Sequence, residues 1–121
     1  MLECIAVGVG GFIGSICRYL IGLIPLKEGY VFPVKTFVIN LCGSFLIGMI
    51  VALAAKHDSL SPKLILFLKA GVCGGFTTFS SFALETGDLL KQGNIVTAVV
   101  YAVLSMVIGV LAVFAGQEII R

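Results

Sequence analysis

The chain has 121 residues, of which 60% are hydrophobic and only 12% charged, with no Trp. A soluble domain of this size carries about twice that charge fraction, and the mean hydropathy of +1.18 points to an all-α integral membrane protein. Net charge is only +2, and no nucleic-acid partner is expected. The four cysteines, Cys4, Cys17, Cys42 and Cys73, lack the paired spacing of a zinc or redox motif and read as small buried residues. No nucleophile–base set or metal-ligand cluster supports an enzyme.

Four apolar blocks, Leu2–Ile24, Phe32–Ala55, Pro62–Leu90 and Ile95–Ile119, account for nearly the whole chain. Each exceeds the roughly 20 residues that span hydrocarbon. The expected organisation is one domain, 1–121, with helices near 2–24, 32–55, 62–90 and 95–119 and the short connectors Pro25–Tyr30, Lys56–Ser61 and Lys91–Asn94. The first block lacks the basic flank of a signal peptide, carries Glu3 instead, and is followed by three further spans, so it reads as a transmembrane helix. Arg18, six positions before Ile24, is within snorkelling reach of the first connector's side and serves either to draw anions to a mouth or to anchor the helix. Lys69 is placed similarly in the third block. His57 and its neighbours Lys56 and Asp58 read as solvated.

Basic residues divide evenly between the two sides. Lys56, Lys63, Arg121 and a snorkelling Lys69 fall on one side, against Lys27, Lys35, Lys91 and Arg18 on the other. Orientation normally follows an excess of Lys and Arg on the cytoplasmic side. Without one, the chain either has a fixed orientation that simple counting misses or inserts both ways and pairs with an inverted copy of itself. An inverted pair supplies the inverted repeat on which many transport proteins are built.

In the second block Thr36, Asn40 and Ser44 recur every four residues and share a helix face. Thr97, Tyr101 and Ser105 do the same in the fourth, with Gly109 continuing the line. Gly10/Gly14, Gly71/Gly75 and Ser105/Gly109 suit close helix packing. Asn40 is harder to assign to packing, because a carboxamide is costly to desolvate and needs a partner or a permeant.

The third block contains Gly71–Phe82, GVCGGFTTFSSF, with three glycines, four hydroxyls and three phenylalanines. That composition predicts a helix broken near 74–78. Irregular backbone at bilayer depth survives only where protein or water covers its polar groups. Beyond the break Thr78, Ser81, Glu85 and Asp88 follow at spacings of three and four, and Phe79 and Phe82 share a face. Ring edges are electropositive, and two edges beside hydroxyl and carboxamide donors suit a small anion shedding its water. Glu85 and Asp88, near the end of the span, are expected to face water.

Gly10–Arg18 (GGFIGSICR), Asn40–Gly48 (NLCGSFLIG) and Gly71–Phe82 together resemble the Fluc (CrcB) family of fluoride channels. The resemblance implies an antiparallel, dual-topology homodimer in the inner (plasma) membrane, with the third helices broken at mid-membrane and crossing at the dimer axis. It implies a structural, untransported sodium ion held there by the backbone carbonyls of Gly74 and Thr77. It further implies two fluoride paths lined by Phe79, Phe82, Asn40, Ser81, Thr78, Ser105 and Tyr101. Arg18 is then a vestibule residue and Glu85 lies at a pore end. The implied function is passive export: hydrogen fluoride enters neutral and dissociates, and the inside-negative potential drives the anion out. Two other readings remain open. A small multidrug-type exporter needs a central membrane carboxylate, which the first three spans lack. A non-transporting assembly subunit leaves Asn40 and the FSSF segment idle.

Overall fold

The computed structural model describes residues 1–26 and 31–121. Lys27 and the end of the first connector lie outside them. The described residues form helices without strands: α1 (Leu2–Gly22), α2 (Val34–Lys56), α3 (Pro62–Leu66), a π-helical segment (Phe67–Cys73), a single turn α4 (Gly74–Phe76), α5 (Ser80–Lys91) and α6 (Ile95–Ile120). Elements α3 to α5 make up one third span, so the described residues include four helices long and apolar enough to cross a membrane. Mean hydropathy runs from 1.4 in the third span to 2.6 in the fourth.

Local chemistry sets the ends of these elements. Ser61 Oγ accepts the Lys63 N–H at the start of α3, with Pro62 in the first helical position. At the end of α5, Gly93 adopts φ 84°, and its N–H donates to Leu90 O while the Asn94 N–H donates to Leu89 O. That pair of bonds is a Schellman closure, in which glycine takes the left-handed position without a Cβ penalty. Two lysines hold helix C-termini: Lys35 Nζ donates to Gly22 O at 2.7 Å and Lys56 Nζ to Ile120 O at 3.1 Å. Both place a cation where helix dipoles end negative.

The packing inverts a soluble protein's. Large apolar side chains point outward, among them Phe12 (68% exposed) and Met106 (69%). The buried positions are mostly small or polar: Gly10, Gly14, Thr36, Gly43, Gly48, Gly71, Cys73, Ala98, Tyr101 and Gly116. Lipid tails are as apolar as leucine, so helices gain from close backbone approach and interhelical hydrogen bonds instead. α1 packs along α3, the π-helical segment and α4, while α2 packs along α6. A methyl group at Gly71 would lie 2.8 Å from Gly10 Cα and 2.9 Å from Val7 O, and one at Gly75 would lie 2.6 Å from Gly11 O. On the other pair of helices Gly48 abuts the Val113 carbonyl and Gly116 the Phe45 carbonyl. Gly10/Gly14 and Gly71/Gly75, expected to suit close packing, meet each other in a seam between the first and third spans, and a second seam joins α2 to α6.

The break falls at Thr77–Phe79, with Thr77 extended at φ −82°, ψ 159°. It redirects the third span: α3 and α4 lie on α1, whereas α5 leans on α6 and α2. The π-helical turn ahead of it was not expected from the sequence. Cys73 is buried as anticipated, but Cys4, Cys17 and Cys42 are exposed on the outer surface, so small size does not place them in the core.

Gly71→Ala should destabilise the protein by about 1–3 kcal/mol, the usual cost of overpacking, whereas Gly8→Ala, which meets nothing within 4 Å, should not. Denaturant unfolding in detergent would compare them; equal stabilities would refute the backbone-contact account of the α1 seam.

Candidate functional site

Asn40, in the second turn of α2, faces the break. Its Nδ2 donates to Thr78 O at 3.0 Å, and its Oδ1 accepts the Thr78 N–H at 2.8 Å. One carboxamide thus satisfies both backbone groups of a single non-helical residue. Thr78 Oγ1 in turn accepts the Ser81 N–H at 3.2 Å and so caps α5. Thr77 Oγ1 donates to Cys73 O at 2.9 Å, and its methyl group packs on Gly43, where a Cβ would overlap it.

Two cavities meet at Thr78. One, of about 360 Å³, is lined on its polar side by Asn40, Ser44, Thr77, Thr78 and Ser105, with Phe79 and Phe82 as its aromatic wall. The two rings are 5.8 Å apart at 50°, and Phe79 is 78% exposed. Ser105 Oγ is buried and has no hydrogen-bond partner among the described residues. The other cavity, of about 370 Å³, is lined by Arg18, Lys35, Thr36, Thr78, Ser81 and Glu85, among others.

Each wall has donors to spare. The Asn40 amide carries a second N–H beyond the one spent on Thr78 O, and the Thr78 hydroxyl accepts a bond while keeping its own O–H. Arg18 departs from the snorkelling expectation. Its Nε donates to Gly75 O at 3.2 Å, across to the third span at the foot of the break, while its side chain lines the second cavity.

Glu85 departs further. It is half-buried, and each carboxyl oxygen has its own donor: Thr36 Oγ1 to Oε2 at 2.8 Å and Tyr101 O–H to Oε1 at 2.9 Å. The two polar stripes read from α2 and α6 therefore converge on α5. Asp88, the next residue of the third-span stripe, is exposed as expected and takes no part. Tyr101 is fully buried and lines neither cavity; its hydroxyl is committed to Glu85 and its ring packs edge-on against Phe82 at 5.0 Å. Of the expected residues, Asn40, Thr78, Phe79, Phe82 and Ser105 come together in one cavity, and Arg18, Thr78, Ser81 and Glu85 in the next. Sequence reading missed Lys35, which shares the second cavity with Arg18.

Gly74 and Thr77 both line the first cavity. Their carbonyls have lost the N–H groups that a continuous helix would supply four residues on. The Thr78 N–H goes to Asn40 and the Ser81 N–H to Thr78 Oγ1. Carbonyl oxygens released in this way are suitable ligands for a hard cation, so the residues present fit a sodium ion.

A family profile described as CrcB-like protein, Camphor Resistance (CrcB), matches residues 5–117. The chain belongs to the CrcB family. Among its relatives is the fluoride-specific ion channel FluC of Chlorobaculum tepidum, 46% identical over 96% of this chain and 92% of the relative. The proteins of the same name from Agrobacterium fabrum and Rhizobium meliloti are 44% and 42% identical, each over 100% of this chain and 98% of the relative. These CrcB-family relatives carry the name of a channel, not of an enzyme.

Removing either donor to Glu85, by Tyr101→Phe or Thr36→Val, should cost about 1–3 kcal/mol, because each leaves a carboxyl oxygen without its bond. The double variant should cost less than the sum. Unfolding in detergent would measure the cycle, and two neutral single variants would sink the shared-carboxyl account.

Proposed function

We propose that the chain is a fluoride channel that passively exports the anion, working as an inverted homodimer in the inner membrane. The observation that carries this reading is the pair of cavities meeting at Thr78. They are walled by donors and, in the first, by the Phe79 and Phe82 rings, and a buried Ser105 hydroxyl there has no partner among the described residues. Relatives covering nearly the whole chain are named as fluoride-specific channels.

An anion approaching the Arg18 cavity meets two cations, Arg18 and Lys35, with Glu85 as the opposing charge. Thr36 and Tyr101 each donate to one Glu85 oxygen, which fixes the carboxyl's position beside that cavity. Past Thr78 the anion exchanges water for the second Asn40 N–H and the Thr78 and Ser105 hydroxyls. The edges of Phe79 and Phe82 attract it only weakly there, so it passes rather than lodges. Strong donors favour a small, basic anion over chloride, and a narrow path does the same by size. Tyr101 acts behind this wall, holding Glu85 and Phe82.

The first cavity lacks an outer wall in one chain, since Phe79 and Gly74 are exposed. An inverted second copy, consistent with the balanced basic residues, closes it and brings the two breaks together. The Gly74 and Thr77 carbonyls would hold a sodium ion there, which would supply a fixed positive charge. The membrane potential, negative inside, drives the anion outward without ATP.

Liposomes containing only this protein should release fluoride, and Phe79→Ile or Asn40→Asp should abolish the release. A fluoride electrode reads the efflux; chloride passing as readily as fluoride would sink the reading. Site-directed crosslinking should report an antiparallel pair, and a parallel pair would refute inversion alone.

A further inference from the structure

We propose that Asn40 is a positioning residue for the cation site: by clamping Thr78 it keeps the Gly74 and Thr77 carbonyls free to bind the ion. The inference rests on the cation reading above and adds what holds that site open.

In an α-helix each carbonyl accepts the N–H four residues ahead. Breaking a helix does not by itself leave carbonyls free, because the same donors can swing back and re-form the turn. The destination of each donor decides the outcome. Helical bonding persists to Thr77, whose N–H donates to Cys73 O at 3.0 Å. The next donor, Thr78 N–H, would belong to Gly74 O but is held 2.8 Å from Asn40 Oδ1. Asn40 Nδ2 holds the other side of the same residue through Thr78 O at 3.0 Å. With both backbone groups of Thr78 occupied, its side chain is aimed at Ser81, whose N–H it accepts at 3.2 Å. That second diversion removes the helical donor of Thr77 O. A single side chain from α2 thereby releases the Gly74 carbonyl directly and the Thr77 carbonyl through Thr78.

The same carboxamide lines the cavity that holds Phe79, Phe82 and Ser105. Its second N–H is left for the anion while its first N–H and its oxygen serve the break. Asn40 therefore touches both the cation site and the anion path, and the two roles use different atoms. The oxygen and the first N–H serve the cation site, and the second N–H the anion. Asn40→Asp separates them in part, because a carboxylate still accepts the Thr78 N–H and keeps that donor off Gly74 O, but has no N–H for Thr78 O or for the anion.

The experiment uses the purified full chain in detergent without fluoride. It follows the thermal unfolding midpoint as sodium chloride replaces N-methylglucamine chloride at constant ionic strength. The wild-type midpoint should rise with sodium. Asn40→Ala should need about tenfold more sodium for the same rise, the equilibrium equivalent of one hydrogen bond reclaimed by the Gly74 carbonyl. Asn40→Asp should respond within about twofold of wild type, well short of one lost hydrogen bond, although it conducts no fluoride. Thr78→Val, which returns the Ser81 N–H to Thr77 O, should weaken the response as Asn40→Ala does. If Asn40→Ala fails to fold, the contrast between Asn40→Asp and Thr78→Val decides, and equal sodium responses there would overturn the proposal. A wild-type sodium response in Asn40→Ala would also overturn it, leaving the cation reading intact. A wild-type midpoint indifferent to sodium would remove the cation reading, and this inference with it.

Discussion

The bond pair between Asn40 and Thr78 is the constraint on which the rest of this structure depends. A span that breaks inside hydrocarbon leaves polar backbone groups that no water can satisfy. Here one carboxamide from the neighbouring helix takes both groups of the residue at the break. The carboxamide's own desolvation cost is offset by the same two bonds. Once Thr78 is fixed, α5 starts in a new direction and leaves α1 for α6. That change of neighbour brings Phe82 onto Tyr101 and Glu85 between Thr36 and Tyr101.

Two kinds of contact divide the labour in this fold. Glycine seams hold α1 to the first half of the third span and α2 to α6 by backbone contact, with a methyl's width excluded. The second half of the third span is held instead by side-chain hydrogen bonds from α2 and α6. The division suits a channel. Close-packed seams give a rigid frame, and the polar contacts leave lined space beside Thr78 that a seam would fill. Much of the apolar bulk lies on the outer surface, Phe12 among it, while Ile39 and Leu89 are buried.

The polar residues were legible in the sequence because helical spacing reveals them, but their partners were not. Thr36, Asn40 and Ser44 share one face by periodicity alone. Nothing local says that Thr36 meets Glu85 while Asn40, one turn on, meets a backbone residue of another span. Glu85 was read as facing water because it lies near the end of its span. Its actual setting depends on the tilt of α5, which the break creates. Arg18 was read as reaching along its own helix toward the interface. The break instead exposes the Gly75 carbonyl beside it, a nearer acceptor. Tyr101 looked like part of a polar stripe lining a path, yet its hydroxyl is spent on a carboxyl and its ring is buried.

Composition and spacing by themselves determined four spans, glycine contact faces and an interruption near 74–78. These follow from local rules of length, periodicity and backbone chemistry that act within one helix. Only the tertiary structure decided where each released backbone group goes. Hydrogen bonds across 38 residues of sequence, as between Asn40 and Thr78, depend on helix rotation and tilt that no single segment encodes. The π-helical turn before the break belongs to the same class. The break is visible in the residues that make it, and what it opens onto is set by the helices that surround it.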